Sequence, residues 1–319
     1  MKNLAILALS SAFLISCTDD DPAPTPTPTD DSIAGLAQQN PDLATLVAVA
    51  DFAGNDGDLI ELLSSPGTLT VFAPTNAAFD ALAVELTGSA GAKATDLLKP
   101  ENKPLLRDVL GYHVLGSEVT ASAIPFGMPI TASQNAIFKI EAQPPRIIDG
   151  RNRTAAITAT DIDASNGVIH VVDRVILPAD KNLVQIAQSD PQFSILVEAV
   201  LAADLAATLS APGPLTVFAP TNAAFAALLG ELGVTKDQLL ADKPLLTKVL
   251  AYHVVPARVF KAQVAIGAPV ATVQTGTFTI GADLGVTDAR GRKAAITATD
   301  IQSTNGVIHV VDKVLLPAP

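Results

Sequence analysis

Four histidines, two tyrosines and one cysteine are the residues of this chain best suited to acid–base, nucleophilic or metal chemistry. Tyr112 precedes His113 and Tyr252 precedes His253, while His170 and His309 stand inside β-branched runs. An imidazole can serve as a general base, ligate a metal, or satisfy a buried site through its two ring nitrogens. Catalysis needs further machinery, and the sequence holds no Gly-x-Ser-x-Gly elbow, no His-Glu-x-x-His and no glycine-rich phosphate loop. Every histidine and tyrosine also recurs at the same place in a repeated motif. Tyr112, His113, His170, Tyr252, His253 and His309 are therefore read as structural, their polar atoms tying strands and helices together. No catalytic residue, cofactor or metal is expected, and the chain is not read as an enzyme.

Asn55-Asp56-Gly57-Asp58, with Glu61 nearby, offers clustered oxygen ligands. A calcium loop alternates its ligands and places glycine sixth, and Ala53 breaks that pattern. The tetrad is read as a polar loop insertion.

Cys17 is the only cysteine, so it has no disulfide partner within the chain. It follows Lys2 and an apolar run from Leu4 to Ile15, too short for a membrane-spanning helix. The junction Leu14-Ile15-Ser16-Cys17 resembles a bacterial lipobox. An ordinary signal peptide containing a cysteine is the alternative, but acylation accounts for the lone thiol. Residues 1–17 are expected to be a lipoprotein signal peptide cleaved before Cys17, whose acyl chains would engage membrane lipid. Residues 18–31 form an acidic, Pro-Thr linker. Alternating Pro and Thr favours an extended stalk of about 40 Å, at roughly 3.1 Å per residue. The acids Asp19, Asp20 and Asp21 beside the cysteine resemble a lipoprotein surface-export signal, so an outer-membrane, surface-exposed protein is expected.

The elements that position the histidines occur twice. Thr70–Phe79 (TVFAPTNAAF) returns letter for letter as Thr216–Phe225, and Ala155–Ile162 as Ala294–Ile301. Asn166–Asp173 (NGVIHVVD) returns as Asn305–Asp312. A period of about 140 residues fits two complete tandem domains and is too long for a solenoid. Domains are expected over 32–178 and 181–318, joined at Pro178-Ala179-Asp180-Lys181, a linker short enough to restrict bending. Within each, helices come first: one capped by Ser32, one over Asp42–Asp51, and one capped at Thr75 or Asn76 after a buried strand Thr70–Ala73. Strands are expected at Ile137–Glu141 and Ala155–Thr160, then over the long run Val168–Leu177 after an Asn166-Gly167 turn. Helices early and strands late indicate α+β domains. With 49% hydrophobic residues but no Trp, the cores must be aliphatic. A formal charge of −12 excludes a nucleic-acid partner, which requires a basic stripe.

A first box, TVFAPTNAAF, a second box, NGVIHVVD, and the Tyr-His pair between them, in this order and present twice, resemble the fasciclin-type (fasciclin I) domain. The resemblance implies a β-sandwich or wedge core with flanking helices and a role in cell-surface adhesion. Its animal members carry an adhesion motif with an Asp-Ile pair upstream of the second box, which falls here on Asp161-Ile162 and Asp300-Ile301. Thr160 and Thr299 precede these pairs where Lys or Pro is expected, which favours a structural reading: each Ile fills the core and each Asp organises the turn into Asn-Gly. The expected function is a lipid-anchored surface protein binding extracellular matrix, glycan or neighbouring cells. The alternative is an accessory lipoprotein capturing a polysaccharide or peptide for uptake. Specificity is expected where the copies differ, as at the Asn55–Asp58 insertion and the stretch Glu85–Glu101.

Overall fold

In the computed structural model, which describes residues 30–54 and 58–319, each repeat opens with short helices set by polar caps. The Ser32 hydroxyl accepts from the Gly35 N–H and starts α1 (Ile33–Gln39). Helices α2 (Ala44–Ala53) and α3 (Asp58–Ser64) follow. Strand β1 (Leu69–Pro74) ends at a proline, which has no amide hydrogen to extend a ladder. The Thr75 hydroxyl then caps α4 (Asn76–Thr87) through the Ala78 N–H. Pro104 lies in the first turn of α5 (Lys103–Tyr112), where an amide would lack an intrahelical partner anyway.

The remaining strands of the first repeat are β2 (Val114–Leu115), β3 (Pro129–Thr131), β4 (Ile137–Ala142), β5 (Pro145–Ile148), β6 (Thr154–Ala164) and β7 (Gly167–Val172). They join β1 in one sheet of order β2-β1-β7-β6-β5-β4-β3, with β1 parallel to β7. The long strand β6 pairs with β5 near its start and with β7 beyond it, and two register shifts between Ile157 and Ile162 bend it. Phe72, Tyr112, Phe138, Ile140, Ile147 and Val172 pack together in one core. Leu46, Phe79, Leu106 and Val109 form another against the opposite face of β1 and β7. Both central strands are thus buried on both faces, which explains their unbroken apolar runs.

The second repeat follows the same plan. Its helices are α6 (Leu183–Ser189), α7 (Ser194–Ala202) and α8 (Ala206–Ser210), then α9 (Asn222–Leu232), α10 (Lys236–Ala241) and α11 (Lys243–Tyr252). Its strands are β8 (Leu215–Pro220), β9 (Val254–Val255), β10 (Pro269–Ala271), β11 (Thr277–Ile280), β12 (Gly285–Thr287), β13 (Lys293–Ser303) and β14 (Gly306–Val311). Their order β10-β11-β12-β13-β14-β8-β9 is that of the first sheet. The fold is α+β in two tandem copies.

One expectation needs correction. The run Val168–Leu177 is not a single strand, because the ladder stops at Val172. Val175, Ile176 and Leu177 are buried, yet their backbone is held by side chains: the Ile176 N–H donates to His113 Nε2 and the Leu177 N–H to Asp149 Oδ2. The apolar pattern reports burial, while the hydrogen-bond partners decide whether a buried segment is a strand.

Candidate functional site

Each Tyr-His pair ends a helix, and its two side chains make separate attachments. His113 Nδ1 donates to the Val109 carbonyl at 2.7 Å, leaving Nε2 to accept from the Ile176 N–H at 3.0 Å. Tyr112 donates its hydroxyl hydrogen to the Ile137 carbonyl at 2.6 Å. In the second repeat His253 bridges Val249 and Leu315, and Tyr252 donates to the Thr277 carbonyl. Burial away from water pushes His113 and His253 down to about 4, so both rings are neutral at pH 7. Burial likewise raises the Tyr112 hydroxyl, and the charge on Asp149 raises it further.

His170 and His309 adopt the opposite tautomer. Nδ1 of His170 accepts from the Asp161 N–H at 3.3 Å, and its Nε2 donates to the Val119 carbonyl at 2.8 Å. His309 does the same for Asp300 and Val259. Each ring also lies beside a core phenylalanine, with Phe72–His170 and Phe218–His309 centroids both 5.3 Å apart. The two aspartates sit in the bends of β6 and β13 with φ of 56° and 61°, a left-handed backbone that a β-branched residue resists. All four rings thus use both nitrogens on backbone groups.

The Asp-Ile pairs are placed differently from expectation. Asp161 Oδ1 accepts from the Ala121 N–H and Asp300 Oδ1 from the Lys261 N–H, so each carboxylate fastens a distant loop and not the Asn-Gly turn. That turn is organised by its own asparagine: Asn166 Oδ1 accepts from the Ile33 N–H while Nδ2 donates to the Leu63 and Ser65 carbonyls. Ile162 and Ile301 are partly buried against the helix-side cores. Of the insertion, Asn55, Asp56 and Gly57 lie outside the described residues, as does Cys17; Asp58 accepts from Arg107 Nη2 at 2.5 Å.

The two copies part company at the aspartates. Asp161 is exposed, whereas Asp300 is 4% exposed and its Oδ2 lies 3.0 Å from Nζ of Lys139 in the other repeat. Around this ion pair, the Gln302 N–H donates to Asn152 Oδ1 at 2.6 Å, and Asn152 Nδ2 donates back to the Gln302 carbonyl. Gln302 Nε2 donates to the Ile148 and Asp149 carbonyls. Gly150 lets the linker pass, since a Cβ there would come within 2.2 Å of the Ala179 nitrogen.

A second buried carboxylate was not singled out from the sequence. Asp149 Oδ1 accepts from the Arg151 and Arg153 N–H groups, and Oδ2 from the Arg153 guanidinium and the Leu177 N–H. Asp288 likewise accepts from the Arg290, Arg292 and Leu316 backbone N–H groups, but the Arg292 guanidinium stands 3.7 Å away and bonds instead to the Val314 carbonyl and Glu231. The signal was present as a repeated Asp-x-Arg-x-Arg just before each long strand.

Residues 41–178 and again 191–317 match the family described as Fasciclin domain. Transforming growth factor-beta-induced protein ig-h3 of Oryctolagus cuniculus is 31% identical over 256 residues, 80% of this chain and 35% of that protein. Protein sll1483 of Synechocystis sp. is 43% identical over 148 residues, 46% of this chain and 79% of that protein. Cell surface glycolipoprotein MPB83 of Mycobacterium bovis is 30% identical over 158 residues, 49% of this chain and 65% of that protein. The chain therefore spans about a third of the length of ig-h3.

Proposed function

Because this chain belongs to the fasciclin domain family and carries that domain twice, we propose that it is a lipid-anchored adhesion protein of the cell surface. In this reading the leader is cleaved before Cys17, acylated Cys17 holds the outer membrane, residues 18–31 form the stalk, and domains 32–178 and 181–318 face outward. There they bind extracellular matrix, glycan or neighbouring cells. The observation that supports a binding role is the duplicated fasciclin domain, in which the four imidazoles, each spent on backbone partners, serve as scaffold. Placement at the surface is supported by the name of the relative MPB83, a cell surface glycolipoprotein.

The test compares cells producing the wild-type protein with cells producing Cys17→Ala. Wild type is expected in the detergent phase, accessible to protease on intact cells, and able to increase attachment to matrix or to other cells. The variant is expected to lose all three. A Cys17→Ala protein that stays in the detergent phase and supports attachment equally well overturns the reading.

A further inference from the structure

Arg258 sits partly buried at the junction of the two domains, and its only polar contact among the described residues is a 3.3 Å hydrogen bond to the Thr304 carbonyl. Among the described residues no carboxylate lies within ion-pair distance of it, although the chain carries 32 acidic residues against 20 basic ones. A guanidinium offers five donors, and desolvating it without a counter-charge is unfavourable. Burial accordingly lowers its pKa, with no offsetting charge.

The side chain lines an open cleft of about 240 Å³. One wall comes from the first domain (Gln134, Asn135, Ile137), and the other from Arg258, Ser303 and Thr304 of the second. Gln302 also lines it, anchored through Nε2 to the first domain, with its Oε1 buried and unpartnered. On the far side of Gln302 a smaller cavity of about 160 Å³ carries Arg151 and Lys181 with Asp180, so the junction is locally cationic on an acidic protein. The site is not duplicated. Glu118 stands where the second copy has Arg258, and Asp163 where it has Gln302.

We infer that this cleft binds the carboxylate-bearing ring of an acidic sugar, a uronate unit of a polysaccharide, with the carboxylate on Arg258. Three features select that chemistry. The volume is below the roughly 300–1,000 Å³ of a drug-sized pocket and suits one ring. The lining amides and hydroxyls both donate and accept, as ring hydroxyls require. No aromatic side chain lines the cleft to stack on a neutral sugar, so affinity must come from charge and hydrogen bonds. An acidic peptide would satisfy the arginine too, but none of the edge strands of either sheet lines the cleft to pair with its backbone.

This assignment deepens the adhesion reading by naming a partner, yet it is tested on purified protein, where anchoring plays no part. Binding of oligogalacturonate would be measured by calorimetry beside its methyl ester, a neutral oligogalactose and polyglutamate. Oligogalacturonate is expected to bind, to weaken as salt rises, and to lose about ten- to a hundredfold in affinity in Arg258→Gln. A thermal melt of that variant matching wild type shows that the loss is local. The inference is overturned if oligogalacturonate does not bind, if its methyl ester binds as well, or if Arg258→Gln binds unchanged. Tighter binding of polyglutamate also overturns it, in favour of an acidic peptide. Loss of cell attachment with intact uronate binding would instead count against the anchoring scheme.

Discussion

Lys139 and Asp300 lie in different repeats, yet Lys139 Nζ stands 3.0 Å from Asp300 Oδ2 with both side chains nearly excluded from water. The pair ties one domain to the other, and it is not repeated: Thr279 stands where the second repeat would have Lys139, and Asp161, the counterpart of Asp300, is exposed. Removing one partner leaves a buried charge, so Lys139→Ala should destabilise by about 3–5 kcal/mol. Denaturant unfolding should then split from one transition into two, as the domains lose their coupling. A single transition with unchanged midpoint would show that the contact does not couple them.

Acid should weaken the fold. His113 and His253 titrate near 4 when folded and near 6.5 when unfolded, so the unfolded chain binds more protons between those values. Their contribution is complete above pH 6.5 and is lost as pH falls towards 4, at up to roughly 1.4 kcal/mol per pH unit for each. Melting temperatures recorded from pH 7 to pH 5 should fall, and His113→Gln should flatten part of that fall. A profile equally steep in the variant would remove His113 as the cause.

Asp149→Ala should cost about 1–3 kcal/mol, since it leaves the buried Leu177 N–H without its acceptor and Arg153 with only Glu85 and the Val175 carbonyl. Asp288→Ala should free the Leu316 segment of the second domain, with a smaller effect through Arg292, whose guanidinium lies 3.7 Å from the carboxylate. Hydrogen exchange would locate the effect, with loss of protection expected at Ile176 and Leu177 or at Leu315 and Leu316.

Asp161 separates structure from recognition. Its backbone is left-handed, so glycine relieves strain while removing the carboxylate that holds the Ala121 amide. Asp161→Gly should therefore cost less than Asp161→Ala, and each loss should stay near 1–2 kcal/mol. Attachment that survives Asp161→Gly would exclude its side chain from recognition. Attachment lost in a protein that melts normally would assign it there.

The sequence displayed the duplication, the caps at Ser32 and Thr75 and the buried strands, because each depends on local chemistry or an unbroken apolar pattern. Val175–Leu177 misled for the same reason: β-branched burial looks identical whether a neighbouring strand or the side chains of His113 and Asp149 hold the backbone. The destination of the Asp161 carboxylate was hidden because its partner, Ala121, is 40 residues away and contributes only an amide. Arg258 was illegible as a site residue, since its environment arises only when two domains meet.

The contact between the repeats is made from residues that the duplication did not keep. Joining one face of a unit to a different face of the next is the geometry that generates open filaments if it can be repeated. Here the contacts do not repeat. Thr279 stands in the second repeat where the first has Lys139, and Gly291 where it has Asn152. The matching face of the first repeat presents Asp161 and Asp163, both exposed. A further copy added end to end would set those carboxylates against a surface offering neither the lysine nor the asparagine. Divergence of a few side chains thus leaves a further copy, stacked in the same way, without the ion pair and the reciprocal amide bonds that join these two repeats.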